Sequence, residues 1–336
     1  MQIRMSGIDA LRTSMANPAR AWKVSARERF LTGSYFDIHH RPKFTFSGDE
    51  RFFTIGSCFS REIEGALIPL GVNLLLRGRG VERRHFEQWA GEDTDQIASR
   101  PHTGVFNKYT VASIEHDVRR SLLREQYPNE GLIEIDQDKW FDPHASGLRL
   151  LPLDIALENR STIDAGMQQL RKADVVFITP GQTQSWVDTE TGLSMNTHPG
   201  PQYLKRFKER FAFIEHSYAE TIEQLDRTIQ LIRQECNPAM RFVITVSPVP
   251  FGSTFRAQDV VVGHQATKAL LRTVADEMFR RYDYVDYFPS YEMVINTPRA
   301  LAWHDDQAHV QADMVRSVMQ KFYDCYFPDR SAPPVA

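Results

Sequence analysis

Cysteine is scarce in this 336-residue chain, which has three: Cys58, Cys236 and Cys325. An odd number spaced so widely gives neither a disulfide framework nor a zinc-knuckle pattern, and a reducing cytoplasm is the compartment it implies. No apolar run approaches the roughly 20 residues a membrane span needs. The opening MQIRMSGIDALRTSMANPARAWKV lacks the continuous apolar core of a secretory signal. No long basic run accompanies the net charge of −3, so nucleic acid is a poor partner for it. His39 and His40 have no further ligand at metal-site spacing and read as surface residues. Neither a metal nor a resident cofactor is expected, and no internal repeat is visible.

With 42% hydrophobic and 25% charged residues, the chain is an ordinary globular protein able to bury a large core. Its most informative stretch is RFFTIGSCFSREIEGA (51–66). Phe52 to Ile55 are β-prone, Gly56 permits a sharp turn, and Ile63, Ala66 and Leu67 recur at helix spacing. A strand turning straight into a helix lifts side chains out at the sheet's carboxyl edge and aims unpaired N–H groups there. Cys58 in that turn is expected to feel the positive end of the helix dipole, with its pKa lowered and its thiolate favoured.

Further strands are expected at GVNLLL (71–76), ADVVFIT (173–179), RFVITVS (241–247) and YVDYFPS (284–290). Helices are expected over the end of 101–124, where Thr110 is a suitable N-cap, over 205–236 as one long helix or two, over 263–282, and within 301–323. Alternating strands and helices make a doubly wound parallel α/β sheet of about five strands the economical architecture, with helices on both faces. Residues 1–48 form an N-terminal arm that wraps the domain or caps an edge strand. Residues 49–330 form a single α/β domain, with an aromatic insertion at about 125–162 that covers the active site and a hairpin at about 187–201; 331–336 are a tail. His144, inside the insertion, is a weak catalytic candidate. Gly78 and Gly80 fit no nucleotide fingerprint, and Arg77, Arg79, Arg83 and Arg84 read as a solvated face.

The carboxyl edge of such a sheet collects Gly56-Ser57-Cys58, Gly104 to Asn107, Gly181-Gln182-Thr183, Ser247 and Asp306-x-x-His309. An acid three residues before a histidine can orient the imidazole that takes a nucleophile's proton. His304 and Asp305 are the rival base and acid, because HDDQAH offers two of each. Gly104 and Asn107 are placed to donate to an oxyanion.

FTIGSCFS, TPGQTQSWVDTETG, ITVSPVP, YFPSYE and the late Asp-x-x-His resemble the GSCFA-domain proteins, which are similar in turn to the SGNH (GDSL-like) hydrolases and acyl-esterases. The resemblance runs from about Arg51 to Phe327, with Ser60 where the family name has Ala. It implies a flavodoxin-like sheet in strand order 2-1-3-4-5. With glycine aligned on glycine, Ser57 stands where those hydrolases have Asp, and Cys58 stands where they have the nucleophilic Ser. Ser57 is the second candidate nucleophile. The resemblance also implies oxyanion donors: the nucleophile's own N–H, a glycine matched by Gly104, and an asparagine after the third strand. Gly181-Gln182-Thr183 holds no Asn, so Gln182, Thr183 or Asn107 has to substitute.

The function expected on this basis is acyl transfer by a Cys58-His309-Asp306 triad, as an esterase or an O-acyltransferase acting on a saccharide or an acyl-thioester. Acyl-CoA suits the transferase version as co-substrate. The alternative is a catalytically inactive SGNH-like module that binds a glycan or a protein.

Overall fold

The computed structural model describes residues 4–89 and 101–330. Its centre is a five-stranded, all-parallel sheet: β1 (Arg51–Gly56), β2 (Asn73–Leu74), β3 (Val175–Thr179), β4 (Arg241–Ile244) and β5 (Val285–Tyr287). The strands lie in the order β2-β1-β3-β4-β5, so the chain starts in the interior, steps to one edge and then crosses to the other. That reversal leaves a crevice at the carboxyl ends of β1 and β3, where Gly56 stands opposite Thr179.

The strand sequences are apolar throughout because both faces are covered, and successive side chains alternate between two cores. Phe53, Ile55, Val176, Ile178, Phe242 and Ile244 enter one core. It is closed by α2 (Val111–Leu123), α3 (Leu153–Met167), α4 (Tyr218–Glu235) and α5 (Val260–Arg281). Phe52, Val175, Phe177 and Val243 enter the other, against α1 (Cys58–Leu67) and α6 (Ala312–Tyr326). Thr110 caps α2 as its sequence suggests, in a reciprocal capping box with Ser113. No helix among the described residues is long and apolar enough to cross a membrane.

Several elements depart from the sequence reading. The second strand is two residues long rather than six, since only Asn73 and Leu74 pair with β1. The expected helix over 205–236 is broken: Phe211–Glu215 is a strand, and α4 starts only after Ser217. The Ser217/Glu220 capping box marks the true start, whereas the spacing of Phe207, Phe211 and Ile214 imitates a helix. This strand joins the expected hairpin, Gln184–Asp188 with Leu193–Met195, to form a three-stranded antiparallel sheet. The 125–162 stretch has regular structure of its own. It forms a short hairpin (Ile133–Asp136 with Lys139–Phe141) and then runs into α3, whose Ile163 and Met167 belong to the first core.

The N-terminal arm carries a helix, Gly7–Ala16, none of whose residues is buried, and then lies along α6. There Phe46 donates its N–H to the Tyr326 carbonyl, and Lys43 N–H reaches the Asp286 carboxylate of β5. His39 is exposed as expected, but His40 is not a surface residue: it packs between Phe288 and Tyr326, 3.1 Å from the tyrosine hydroxyl. The 331–336 tail lies outside the described residues.

Candidate active site

The turn after β1 requires glycine. Gly56 has φ +149°, and a Cβ there would lie 2.3 Å from the Thr179 carbonyl oxygen. Ser57 then donates its N–H to that same carbonyl at 2.9 Å, while its Oγ accepts the Phe59 N–H at 3.3 Å. The hydroxyl is thus spent on capping α1, and Ser57 is 2% exposed. Cys58, the first residue of the helix, is half-buried and is the reactive side chain that the turn leaves more open.

The expected low thiol pKa is not found. Burial pushes the Cys58 thiol up, and the Glu62 carboxylate one turn along α1 adds to the shift. The Phe59 N–H, the Lys268 charge and the thiol's own backbone N–H oppose it, and they lose. The helix N-terminus is present, but desolvation outweighs it.

The loop before α2 threads against this turn. Asn107 pairs with Gly56 in a parallel bridge, and Lys108 N–H donates to the Gly56 carbonyl at 2.6 Å. Asn196 clamps the loop by donating from Nδ2 to the Asn107 carbonyl (2.7 Å) and accepting the Tyr109 N–H on Oδ1 (2.9 Å). Asn107 Oδ1 is enclosed without a partner. Gly104 is not the donor the motif implies, because its N–H is committed to His102 Nδ1 at 3.2 Å. The N–H groups of Gly181 and Gln182 both go to the Tyr109 carbonyl, at 2.9 and 2.8 Å. Thr183 turns into the fold, its hydroxyl 3.0 Å from that of Thr267 on α5. Gly181 packs so closely that a Cβ would stand 3.3 Å from Ser57 Cβ and 3.5 Å from Ser247 Cβ. Ser247 is fully buried with an unpartnered hydroxyl. The Cys58 N–H, in the first helical turn with no backbone acceptor, is a donor this edge retains, whereas the Asn107 side chain bonds the Tyr109 hydroxyl.

Asp306 and His309 do meet. Asp306 Oδ2 stands 2.5 Å from His309 Nδ1, and its Oδ1 accepts the N–H groups of Ala308 and His309. The bond to His309, followed by those two N–H groups, holds the Asp306 carboxyl far below the usual carboxylate range. The rivals lose: His304 contributes only backbone bonds to this loop, and Asp305 has no part in the pair. The loop is closed by the Trp303–Val310 bridge and leads directly into α6. The first residues of α6, Ala312, Val315 and Arg316, face Glu62, Gly65, Ala66 and Pro69 across a shallow groove, one turn or more along α1 from Cys58. The His309 side chain is 68% exposed, and among the described residues no hydrogen bond joins it to Ser57 or Cys58. His144 is elsewhere: buried and stacked on His116 with ring centres 4.3 Å apart.

A cleft of about 220 Å³ is walled by Tyr109, Gln182, Trp186, Asn196, Phe251 and Phe255, and neither Cys58 nor His309 lines it. Tyr109 and Gln182 belong both to this wall and to the lattice that packs Gly181 on Ser57. Trp186 and Phe255 meet edge to face at 5.0 Å, and the indole Nε1 is enclosed without a partner. Sequence reasoning missed Tyr109, Trp186, Asn196 and Lys268. Asn196 follows the hairpin in THPGP-rich polar sequence, where an amide reads as turn chemistry. Lys268 lies one residue from Thr267 and three from Leu271 on the buried face of α5, and that placement was the available signal.

The fold and the turn define a flavodoxin-like α/β protein with a cysteine at the start of the helix that follows its first strand. The chain belongs to the GSCFA family, whose model matches residues 51–322. No curated protein matches it. Among solved structures it is similar to a family 3 carbohydrate esterase of Clostridium thermocellum (10% identity, TM-score 0.35, covering 83% of this chain and 96% of that one). A DUF4886 family protein of Bacteroides uniformis (10%, 0.35, covering 85% and 86%) and a family 3 carbohydrate esterase of Talaromyces cellulolyticus (10%, 0.31, covering 84% and 100%) are similar at the same level.

Proposed function

We propose that this protein is an acyl-transfer enzyme of SGNH type, with Cys58 as nucleophile, His309 as base and Asp306 as the group that orients it. The observation carrying this reading is the Asp306–His309 pair, fixed at 2.5 Å on the loop that enters α6 beside α1, while the Gly56 turn presents Cys58 at the start of α1. The Asp306 contact places the acceptor lone pair on His309 Nε2. The thiol proton passes to that nitrogen, and sulfur attacks an ester or thioester carbonyl. The Cys58 N–H and the Gln182 amide receive the developing oxyanion. Collapse expels the alcohol or thiol, which takes the proton from His309, and water or a sugar hydroxyl then removes the acyl group from sulfur.

The cleft supports a saccharide as the alcohol or acceptor component. Aromatic faces interleaved with Gln182, Gln184 and Asn196 suit a ring that is apolar on its faces and hydroxylated around its rim. The test is turnover of a panel of acetylated sugars and acyl-thioesters by the wild type and by Cys58→Ala. The reading requires turnover by the wild type and its loss in Cys58→Ala with the fold intact; a variant with full turnover removes Cys58 from the chemistry.

A second reading, a binding module without catalysis, is favoured by the exposure of His309 and its lack of a bond to the thiol. It predicts saturable glycan binding in the cleft and no turnover on the whole panel.

A further inference from the structure

Half of the large hydrophobic side chains that stand exposed among the described residues, eight of sixteen, lie between Met5 and Leu31 in the N-terminal arm. Ile8, Leu11 and Met15 fall at spacings of three and four on one face of the Gly7–Ala16 helix, with Asp9 and Thr13 away from it. Ser6 caps this helix by accepting the Asp9 N–H at 3.2 Å, so its start is set locally. None of its residues is buried. A ten-residue helix without a packed face is marginal in water and gains its stability from whatever covers that face.

The next part of the arm is tied to the body and still turned outward. Phe36 is buried, and its N–H donates to Thr297 Oγ1 at 2.9 Å. The Phe30 ring centre lies 4.5 Å from that of Phe36 and 5.8 Å from that of Trp22. Arg29 fastens the same turn through the Asp37 carbonyl at 2.8 Å. At the end of this ladder Trp22 is 73% exposed, and Val24 and Leu31 are exposed as well.

The arm is also basic. Residues 4–31 hold six lysines and arginines against Asp9 and Glu28, a surplus of four in a chain whose net charge is −3, so the rest of the chain is acidic. Arg20, Lys23 and Arg27 flank Trp22 in sequence and are exposed. An aliphatic stripe, an outward indole and long cationic side chains together suit the boundary between acyl chains and anionic headgroups. Nucleic acid would meet the cations but leave Ile8, Leu11 and Met15 uncovered. A second copy would have to offer a matching apolar face, whereas the other eight exposed hydrophobics are spread over separate segments from Leu123 to Leu301. A bilayer needs no such groove.

We propose that the arm is an interfacial anchor. Residues 4–31 lie on an anionic lipid surface, with Ile8, Leu11, Met15 and Trp22 at the acyl boundary and the cations among the headgroups. The acidic body is then held at the membrane by the arm. The inference is independent of the chemistry proposed for Cys58.

The experiment is co-sedimentation of the full chain, at about 1 mM lipid and physiological salt, with phosphatidylcholine vesicles that do or do not hold about 30 mol% phosphatidylserine. The wild type should bind the anionic vesicles about tenfold or more above the neutral ones. Ile8→Ser, Leu11→Ser and Met15→Ser combined should weaken that binding about tenfold or more. Arg20→Gln, Lys23→Gln and Arg27→Gln combined should weaken it by about as much on anionic vesicles and leave the neutral ones unchanged. Vesicles should shift tryptophan emission to the blue in the wild type but not in Trp22→Phe. All these side chains are exposed, so each variant should melt with the wild type. No uptake by anionic vesicles overturns the inference, as does equal uptake by both kinds or uptake that the arm substitutions leave unchanged. A dimer in sedimentation velocity that the triple serine variant dissolves, without vesicle binding, overturns it in favour of a second copy.

Discussion

Two lysines in this molecule are equally enclosed and differently treated. Lys108 and Lys268 are each 0% exposed. Lys108 lies 2.6 Å from the Asp117 carboxylate, in a nest that also holds the bidentate Arg160–Asp142 pair and the stacked His116 and His144. Lys268 has two carbonyls and no carboxylate among the described residues. In the first region each buried charge meets its opposite, which fixes the Asn107–Tyr109 loop, the hairpin and α3 relative to one another. In the second the group has no carboxylate, and the carbonyl it holds belongs to Gly181, which packs against the Ser57–Cys58 turn. Burial alone therefore does not say how a lysine is held; its partners do.

The comparison can be broken in several places. The largest effect belongs to Cys58→Ala, which should lower acyl turnover by about three orders of magnitude or more while changing thermal stability little. A large stability loss with preserved turnover would put Cys58 among the structural groups instead. His309→Asn should cost about 10²–10⁴-fold in kcat, measured on the same acyl substrate; a value within twofold of wild type sinks the base assignment. Next comes the opposed pair Lys108→Met and Lys268→Met. The first leaves Asp117 buried without its partner and should cost about 3–5 kcal/mol in denaturant unfolding. The second leaves the Gly181 and Val249 carbonyls without their donor but strands no charge, and should cost less, about 1–3 kcal/mol, so equal losses would erase the distinction between the two regions.

The smallest effect is the dependence of stability on pH. His116, held near 4 by burial, and His144, pushed well below its ordinary value by burial, are neutral in the native state. The unfolded chain takes up their protons first, as pH falls through about 6.5, so stability should decline from there toward pH 4. For Lys268 the native state releases its proton near 7 and the unfolded chain near 10.4. Its contribution therefore rises with pH across that interval, and Lys268→Met should flatten the slope. Thermal melts across pH 4–10 give both limbs; an unchanged alkaline limb in the variant argues against an elevated cost for the buried ammonium.

Much of the frame was legible from the chain because parallel strands buried on both faces are continuously apolar, as in Val175–Thr179, and because Gly56 and the Thr110 cap mark their turns chemically. The Asp306–His309 contact was legible by its spacing of three, which brings the two side chains together in the loop. What escaped depended on depth. The Phe211–Glu215 strand has apolar residues that fit either period until the sheet partner, Gln184–Asp188, is known. In GHQATKALL only its place beside Thr267 and Leu271 marks Lys268 as buried, and the direction of the Cys58 shift turns on how much solvent the turn excludes. Gly104 matched a motif in sequence, but its N–H is taken by His102, a bond that only the folded loop reveals.

The most direct test is to trap the acyl-enzyme. Wild-type protein is incubated with p-nitrophenyl acetate, acid-quenched within the first turnover and mapped by peptide mass spectrometry. A single acetyl group on the peptide containing Cys58, thioester-linked, released by hydroxylamine and absent from Cys58→Ala, is the result this mechanism predicts. An acetyl group on Ser57 instead, or rapid ester turnover with no modified cysteine at any quench time, would contradict it.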